Sequence, residues 1–320
     1  MYLCMRKQLL IVSLLFSSQL FSDDNWCLNR YLALGAEFGY QRRQEGGKNK
    51  TLVVQGDEKV VKVDDLIKRM GWEYAGRASA VYMGSDCASL EAQYTYYRTW
   101  KARETVTGGN LSAPFDDNLF TFDFFAADEA SVEYTSQLQN GEFNYWGHVT
   151  PQRCDFFSFS WIMGFRFIFL REKLDMEFER RSEVSNYKIT TLNLLYGPQL
   201  GAVLEYNPNC SFTWTFMLKG AGFVNDAENK SLLEDDDNFF TLRDFTKKRW
   251  TSSWLIEGYG KLSYHLTSFL SFHFSYEGFL LTGLTLAPDQ VDFSTSTSSS
   301  IYQRGQILID GLFVGATLSF

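Results

Sequence analysis

From residue 211 to 219, Phe212, Trp214, Phe216 and Leu218 alternate with Ser211, Thr213, Thr215 and Lys219. The same period of two runs from 269 to 277, where Leu270, Phe272, Phe274 and Tyr276 alternate with Ser271, His273, Ser275 and Glu277. Between 254 and 266, Ile256, Leu262 and Tyr264 alternate with Glu257, Lys261, Ser263 and His265. From 157 to 169 every odd position is aromatic or Met, with Ser158, Ser160, Gly164 and Arg166 between. Leu174, Met176 and Phe178 alternate with Asp175, Glu177 and Glu179. Period two over such lengths means strands with one apolar and one wet face. They exceed the usual five or six residues of a globular strand and suit a tilted membrane span of about nine to eleven. The last segment has Leu312, Val314, Ala316, Leu318 and Phe320 on one face, and Gly311, Gly315, Thr317 and Ser319 on the other. In a soluble sheet it would be a greasy, unpaired edge. In a closed barrel both its edges are paired and its apolar side meets lipid.

The pattern predicts an all-β fold, a single transmembrane antiparallel β-barrel. Its expected strands number about twelve, near 31–41, 74–83, 88–98, 119–137, 142–149, 156–170, 173–181, 187–206, 211–224, 250–266, 269–282 and 306–320. Tight joins are expected at 84–86, 171–172, 207–209 and 267–268, with a turn at Gln139-Asn140-Gly141. Long polar connections are expected at 42–72, 99–118, 226–249 and 288–304, with a helical turn or two within 64–70. Short turns on one side and long loops on the other are the bacterial barrel habit. The competing architecture is a soluble sandwich with its aromatic face inside.

Composition agrees with the barrel. Aromatic residues make up 17% of the 320 positions and proline only 5 of them, which leaves room for many unbroken strands. Mean hydropathy is −0.21, and beyond residue 22 no run of 18 apolar residues offers a transmembrane helix. Arg6 and Lys7, the apolar stretch 8–16 and the small Ser17, Ser18 and Ser22 read as a secretory signal peptide over 1–22, leaving 23–320 as the barrel. Loss of Arg6 and Lys7 with no acid takes the formal charge from −8 to −10, which disfavours a nucleic-acid partner. Cys27, Cys87, Cys154 and Cys210 are an even set in an exported chain, so disulfides, within the chain or to neighbours, are open. Their spacing fits no zinc motif, and neither a metal nor a cofactor is expected.

No hydrolase, nucleotide-binding or metalloprotease motif is present, so the chain is not expected to be an enzyme. Ser271, His273, Ser275 and Glu277 share a wet face and could imitate a lipid hydrolase, though residues two apart on a strand lie about 6–7 Å from each other. The wet faces place Glu37, Glu91, Arg166, Glu177, Glu205, Lys219, Glu257, Lys261, His273 and Glu277 in the lumen, together with Asp175, Glu179 and Asp310. Unpaired carboxylates in a water-filled bore would favour cations; paired across a narrow one they would fill it. Glu234-Asp235-Asp236-Asp237 reads as a solvated loop charge run without calcium-loop spacing. Trp146, Trp161, Trp214, Trp250 and Trp254 suggest interfacial girdles.

Several segments resemble a family of bacterial outer-membrane β-barrel proteins found in planctomycetes and related lineages. Met163-Gly164-Phe165-Arg166 with the following Leu170 to Leu174 is similar to its G-F-R-Y…L…E-x-L hairpin. Leu195 to Ala202 is similar to its Y-G-x-Q-x-G-A strand, Tyr276 to Gln290 to its segment ending A-L-A-P-D-Q, and Ile309-Asp310-Gly311 to its closing strand. The resemblance spans about 155–320 and implies a porin-like, pore-forming barrel without catalytic residues. The cysteines suggest a looser analogy to the disulfide-linked major porins of chlamydia-like bacteria. The expectation is therefore a bacterial outer-membrane channel for passive diffusion of small hydrophilic solutes with weak cation preference, surrounded by outer-membrane lipid and open to homo-oligomerisation. The alternatives are a closed structural or adhesive surface barrel and an outer-membrane lipid hydrolase.

Overall fold

A computed structural model describes residues 31–320 except 45, 47, 86–87, 117–123, 150–155, 209–210, 236–239, 268 and 295–300. The expected leader and Cys27, Cys87, Cys154 and Cys210 lie outside the described residues. Thirteen strands carry the fold: β1 (Tyr31–Arg43), β2 (Thr51–Gln55), β3 (Glu58–Lys62), β4 (Trp72–Ser85), β5 (Ala88–Tyr97), β6 (Trp100–Ser112), β7 (Ala127–His148), β8 (Phe157–Arg180), β9 (Glu183–Tyr206), β10 (Phe212–Asp235), β11 (Phe240–His265), β12 (Leu270–Leu284) and β13 (Gly305–Ser319). The helix α1 (Val63–Met70) joins β3 to β4.

Every pairing is antiparallel. The order runs β4, β1, β13, β12, β11, β10, β9, β8; β8 pairs with β7, β7 with β5, and β5 returns to β4. Level with the lipid-facing belt the sheet closes on itself as a barrel of ten staves, each paired on both edges. Above it, among the described residues, 240–253 of β11 pair only with β10, and the far edge of β6 meets β2 at Leu111 and Ser112. β5 and β6 form a single stave along β7. Tyr96 faces Gln139 and Trp100 faces Ser136, so the β5–β6 side carries one extra residue, a bulge at Arg98 and Thr99. The short connections, among them 207–211 and 266–269, gather at one end, the periplasmic end by the bacterial pattern. The opposite end carries 44–71, 113–126 and 285–304 and the hairpin tips of β8–β9 and β10–β11.

The expected strands near 119–137 and 142–149 are one stave, β7, without a turn at Asn140-Gly141. The join expected at 171–172 lies inside the continuous β8, and the loops expected at 99–118 and 226–249 are largely strand. The physical reason is that alternation marks the bilayer and not the strand. In β8 the odd residues point outward throughout. Up to Phe169 they are apolar; beyond it they are Arg171, Lys173, Asp175, Glu177 and Glu179, wetted by solvent. The inward residues change in the opposite sense, from Ser160 and Arg166 to Leu170, Leu174, Met176 and Phe178. Outside the membrane the long staves behave as a soluble β-sheet, with an apolar face turned to the core and a polar face turned to solvent, so the two faces exchange character while parity is kept.

The turn between β8 and β9 uses Arg181 (φ 51°) and Ser182 (φ 73°), the two left-handed positions of a type I′ hairpin. Gly197 is required where β9 meets β10, because a Cβ there would clash with the Gly222 carbonyl oxygen. α1, foreseen within 64–70, has Asp64 and Asp65 in its first turn and Lys68 and Arg69 in its last, as the helix dipole favours. It buries Leu66, Ile67 and Met70 and is tied to β6 by the Arg69–Glu104 pair at 2.7 Å.

The lipid-facing belt is built of Phe38, Tyr74, Phe143, Met163, Phe167, Leu200, Phe216, Ile256, Phe274 and Val314, all exposed. Trp72 stacks on Tyr40 at its extracellular margin, and Phe157 on Tyr206 at its periplasmic margin. Trp161, Trp214, Trp250 and Trp254 are exposed on the outer surface. Trp146 corrects the girdle expectation: it points inward, is fully buried and donates to Glu91 at 3.0 Å.

Candidate functional site

The interior is the place where this chain concentrates chemistry. Across the middle of the barrel, Arg166 on β8 pairs with Glu257 on β11, three staves away, and lies 3.5 Å from Glu142 on β7. Lys219 on β10 reaches Glu142 at 2.7 Å and Glu257 at 3.3 Å. Two cations and two carboxylates thus form a closed square in the lumen. Asn140 accepts from Arg166 Nε at 2.9 Å, and Gln199 donates to Glu142 at 2.9 Å. Such pairs survive burial only when neighbours satisfy their remaining donors and acceptors, which these amides do.

A second cluster lies beside it. Arg77 on β4 donates to Glu37 at 2.9 Å, to Glu277 at 2.6 Å and to Thr95 at 3.1 Å. Its guanidinium carbon sits 4.0 Å from the centre of the Phe313 ring. His273 Nε2 bonds to Glu37 Oε1 at 2.9 Å. Lys261, buried, is within electrostatic reach of Glu37, Glu91 and Glu205. Ser158 donates to Glu205 at 3.0 Å, and Asn144 to Glu91 at 3.0 Å.

Nine of the ten expected lumen residues are therefore inside: Glu37, Glu91, Arg166, Glu205, Lys219, Glu257, Lys261, His273 and Glu277, none more than 7% exposed. Glu177 is the correction. It is exposed on the outer face, because β8 has no turn at 171–172 and the face that carries the acids is the wet exterior above the belt. Asp175 and Glu179 lie on that face too. Asp310 also faces outward, where Arg42 and the Tyr276 hydroxyl meet it at 3.1 Å and 2.6 Å. Sequence reasoning missed Arg77, Glu142 and Gln199 as network members. Period two on β4 and β7 would have shown Arg77 and Glu142, but small residues on β4 and a false turn on β7 hid the pattern; Gln199 lies on β9.

The extracellular mouth is filled by the chain itself. At Gly283 (φ 80°) a bulge ends β12, and the segment 284–293 turns into the barrel, with a single 3-10 turn at Ala287–Gln290. Asn193 on β9 grips it by accepting from the Thr285 N–H at 2.9 Å and donating to the Thr285 carbonyl at 2.8 Å. Glu172, salt-bridged to Arg43 at 2.5 Å, accepts the Ala287 N–H at 2.9 Å. Arg243 donates to the Asp292 carbonyl at 2.8 Å, and Lys50 to the Val291 carbonyl at 2.6 Å. With its backbone satisfied this way, a connection expected to be polar and exposed is buried instead. Burial raises the Asp289 carboxyl above its ordinary range, against the opposing Lys48 N–H and Lys50. Around it Phe115, Phe124, Phe178, Tyr187 and Phe293 pack edge-on and tilted, with ring centres 5.2–6.2 Å apart. Replacing Asn193 by Ala should loosen this plug by about 1–3 kcal/mol, since two buried backbone groups lose their partner. Hydrogen exchange at 284–293 should accelerate while that of β7 and β8 stays unchanged.

The segments that carried the family resemblance supply Arg166, Gln199, Glu277 and the plug itself. The closed ten-stave ring, the apolar belt and the polar interior define a transmembrane β-barrel of the bacterial outer-membrane type. No protein-family model matches the chain, and no curated protein is significantly similar to it in sequence. Solved structures of similar shape include the outer membrane protease OmpT from Escherichia coli, 10% identical, covering 91% of this chain and 96% of that one at a TM-score of 0.48. The translocator domain of the autotransporter NalP from Neisseria meningitidis is 9% identical, with coverage of 91% and 88% and a TM-score of 0.37. Ail, the attachment invasion locus protein of Yersinia pestis, is 8% identical, with coverage of 91% and 99% and a TM-score of 0.26.

Proposed function

We propose that this chain is a closed outer-membrane barrel, a structural or adhesive surface protein that works through its extracellular wall and passes no solute. The observation that carries the reading is the square of Arg166, Glu142, Lys219 and Glu257, which ties staves on different sides of the lumen together with all four residues nearly inaccessible to water. A diffusion pore needs inward charges that face water. Here Glu37, Glu257 and Glu277, expected to select cations, are neutralised by Arg77, Arg166 and Lys219, and the mouth above them is filled by 284–293. The porin-like expectation, drawn from the motifs and from inward carboxylates facing water, receives no support from this interior.

The wall gives the barrel something to act with. β8, β9 and β10 each have 24 residues, and a tilted span needs about nine to eleven. More than half of each stave stands outside the bilayer as a rigid, apolar-cored collar, a platform for contacts at the cell surface. We read the chain as non-enzymatic. The His273 ring is engaged by Glu37, and the serines of its own strand, Ser271 and Ser275, are not bonded to it. In planar bilayers at high salt the purified protein should insert without ohmic steps. Stable, weakly cation-selective steps from most insertions would restore the channel and end the closed-barrel reading.

A further inference from the structure

The outer face of the collar holds a groove of about 380 Å³ between β8, β9 and β10. Arg171, Lys173, Lys188 and Lys230 line it. None of the four is in an ion pair among the described residues, whereas of the two acids in the groove Glu228 is held by Lys248 at 2.9 Å. Asp175 remains as the single acid facing four cations. The whole chain carries −8, so this local positive excess runs against its overall charge.

Its height is as informative as its charge. Arg171 follows Phe169 on the outward parity of β8, and Phe167, Phe165 and Leu194 lie directly below on the belt. A step of two residues rises about 6–7 Å along the stave. The cations therefore stand where acyl chains give way to headgroups on the extracellular side. Register places Lys173 opposite Thr190, and Thr190 opposite Lys230, so a hydroxyl lies between two ammonium groups on adjacent staves. Hydroxyls and ammonium groups donate together to phosphate oxygens.

We propose that this groove binds the phosphorylated headgroup of an outer-leaflet lipid, its acyl chains lying on the Phe165, Phe167 and Leu194 surface below. Charge complementarity, the concave shape and direct continuity with the apolar belt all point to a lipid. Basic residues at a bilayer surface each add to the hold on an anionic headgroup, so four should act together.

Native mass spectrometry of the detergent-solubilised full chain tests this, with diphosphorylated lipid A, its dephosphorylated form and inorganic phosphate as probes. The wild type should retain the diphosphorylated lipid about tenfold or more better than the dephosphorylated one. The variant carrying Arg171→Gln, Lys173→Gln, Lys188→Gln and Lys230→Gln should lose that preference. Substituting the three lysines by Arg should keep it, as should Lys59→Gln with Lys68→Gln, which removes surface charge elsewhere. Equal retention of both lipids by the wild type, or an unchanged preference in the fourfold variant, overturns the proposal. Displacement of the lipid by equimolar inorganic phosphate also overturns it, since the site would then serve a free anion. Because the groove is outside the lumen, none of these outcomes depends on whether the barrel conducts.

Discussion

Replacing Arg166 by Met is expected to destabilise the barrel by about 3–5 kcal/mol, the cost of leaving buried charge without its partner. Arg166 is 1% exposed and serves Glu257, Glu142 and Asn140 together. Without it two carboxylates share the single Lys219 in a space closed to water. Removing one of those carboxylates as well, in Arg166→Met with Glu257→Gln, should recover most of the loss. One cation then faces one anion, and the Met fills part of the volume. Urea unfolding in detergent micelles, followed by tryptophan fluorescence, measures both variants. Additive losses in the double variant would mean that the two side chains are not coupled, and the closed square would lose its energetic meaning.

The second large effect concerns neighbours on β8. Met176→Ala should cost about 2–5 kcal/mol, while Glu177→Ala should stay within about 0.5 kcal/mol of the wild type. Met176 is 1% exposed and belongs to the apolar core of the collar, whereas Glu177 looks out into solvent. If the sequence alternation alone governed orientation, the order would be the reverse. Met176 would meet lipid and tolerate truncation, and Glu177 would stand in the lumen network. The same unfolding assay separates the two cases, and equal small losses at both positions would contradict a packed collar core.

These two experiments mark where reading the chain succeeds and where it stops. Within the bilayer, lipid on one side and a polar interior on the other impose opposite demands on alternate residues. Phe157 to Phe169, Phe212 to Leu218 and Leu270 to Tyr276 therefore declare their strands, their faces and most of their inward charges without any coordinates. Above the bilayer both demands reverse. Glu177 then looks like a lumen acid, the 226–249 region like a loop, and one stave like two. Nothing local distinguishes a strand that has turned back from one that has left the membrane.

The linear order of residues determined the all-β barrel, the lipid-facing belt and the identity of nine lumen-facing side chains, because each follows from the environment a single stave meets on its two sides. Only the tertiary structure decided that ten staves close the ring, that Arg166 and Lys219 meet Glu142 and Glu257 across it, and that 284–293 folds into the mouth. Those outcomes depend on circumference and on which residues far apart in the chain arrive at the same level. Barrel radius, and through it whether facing charges can touch, is a property of the closed ring and of no segment within it.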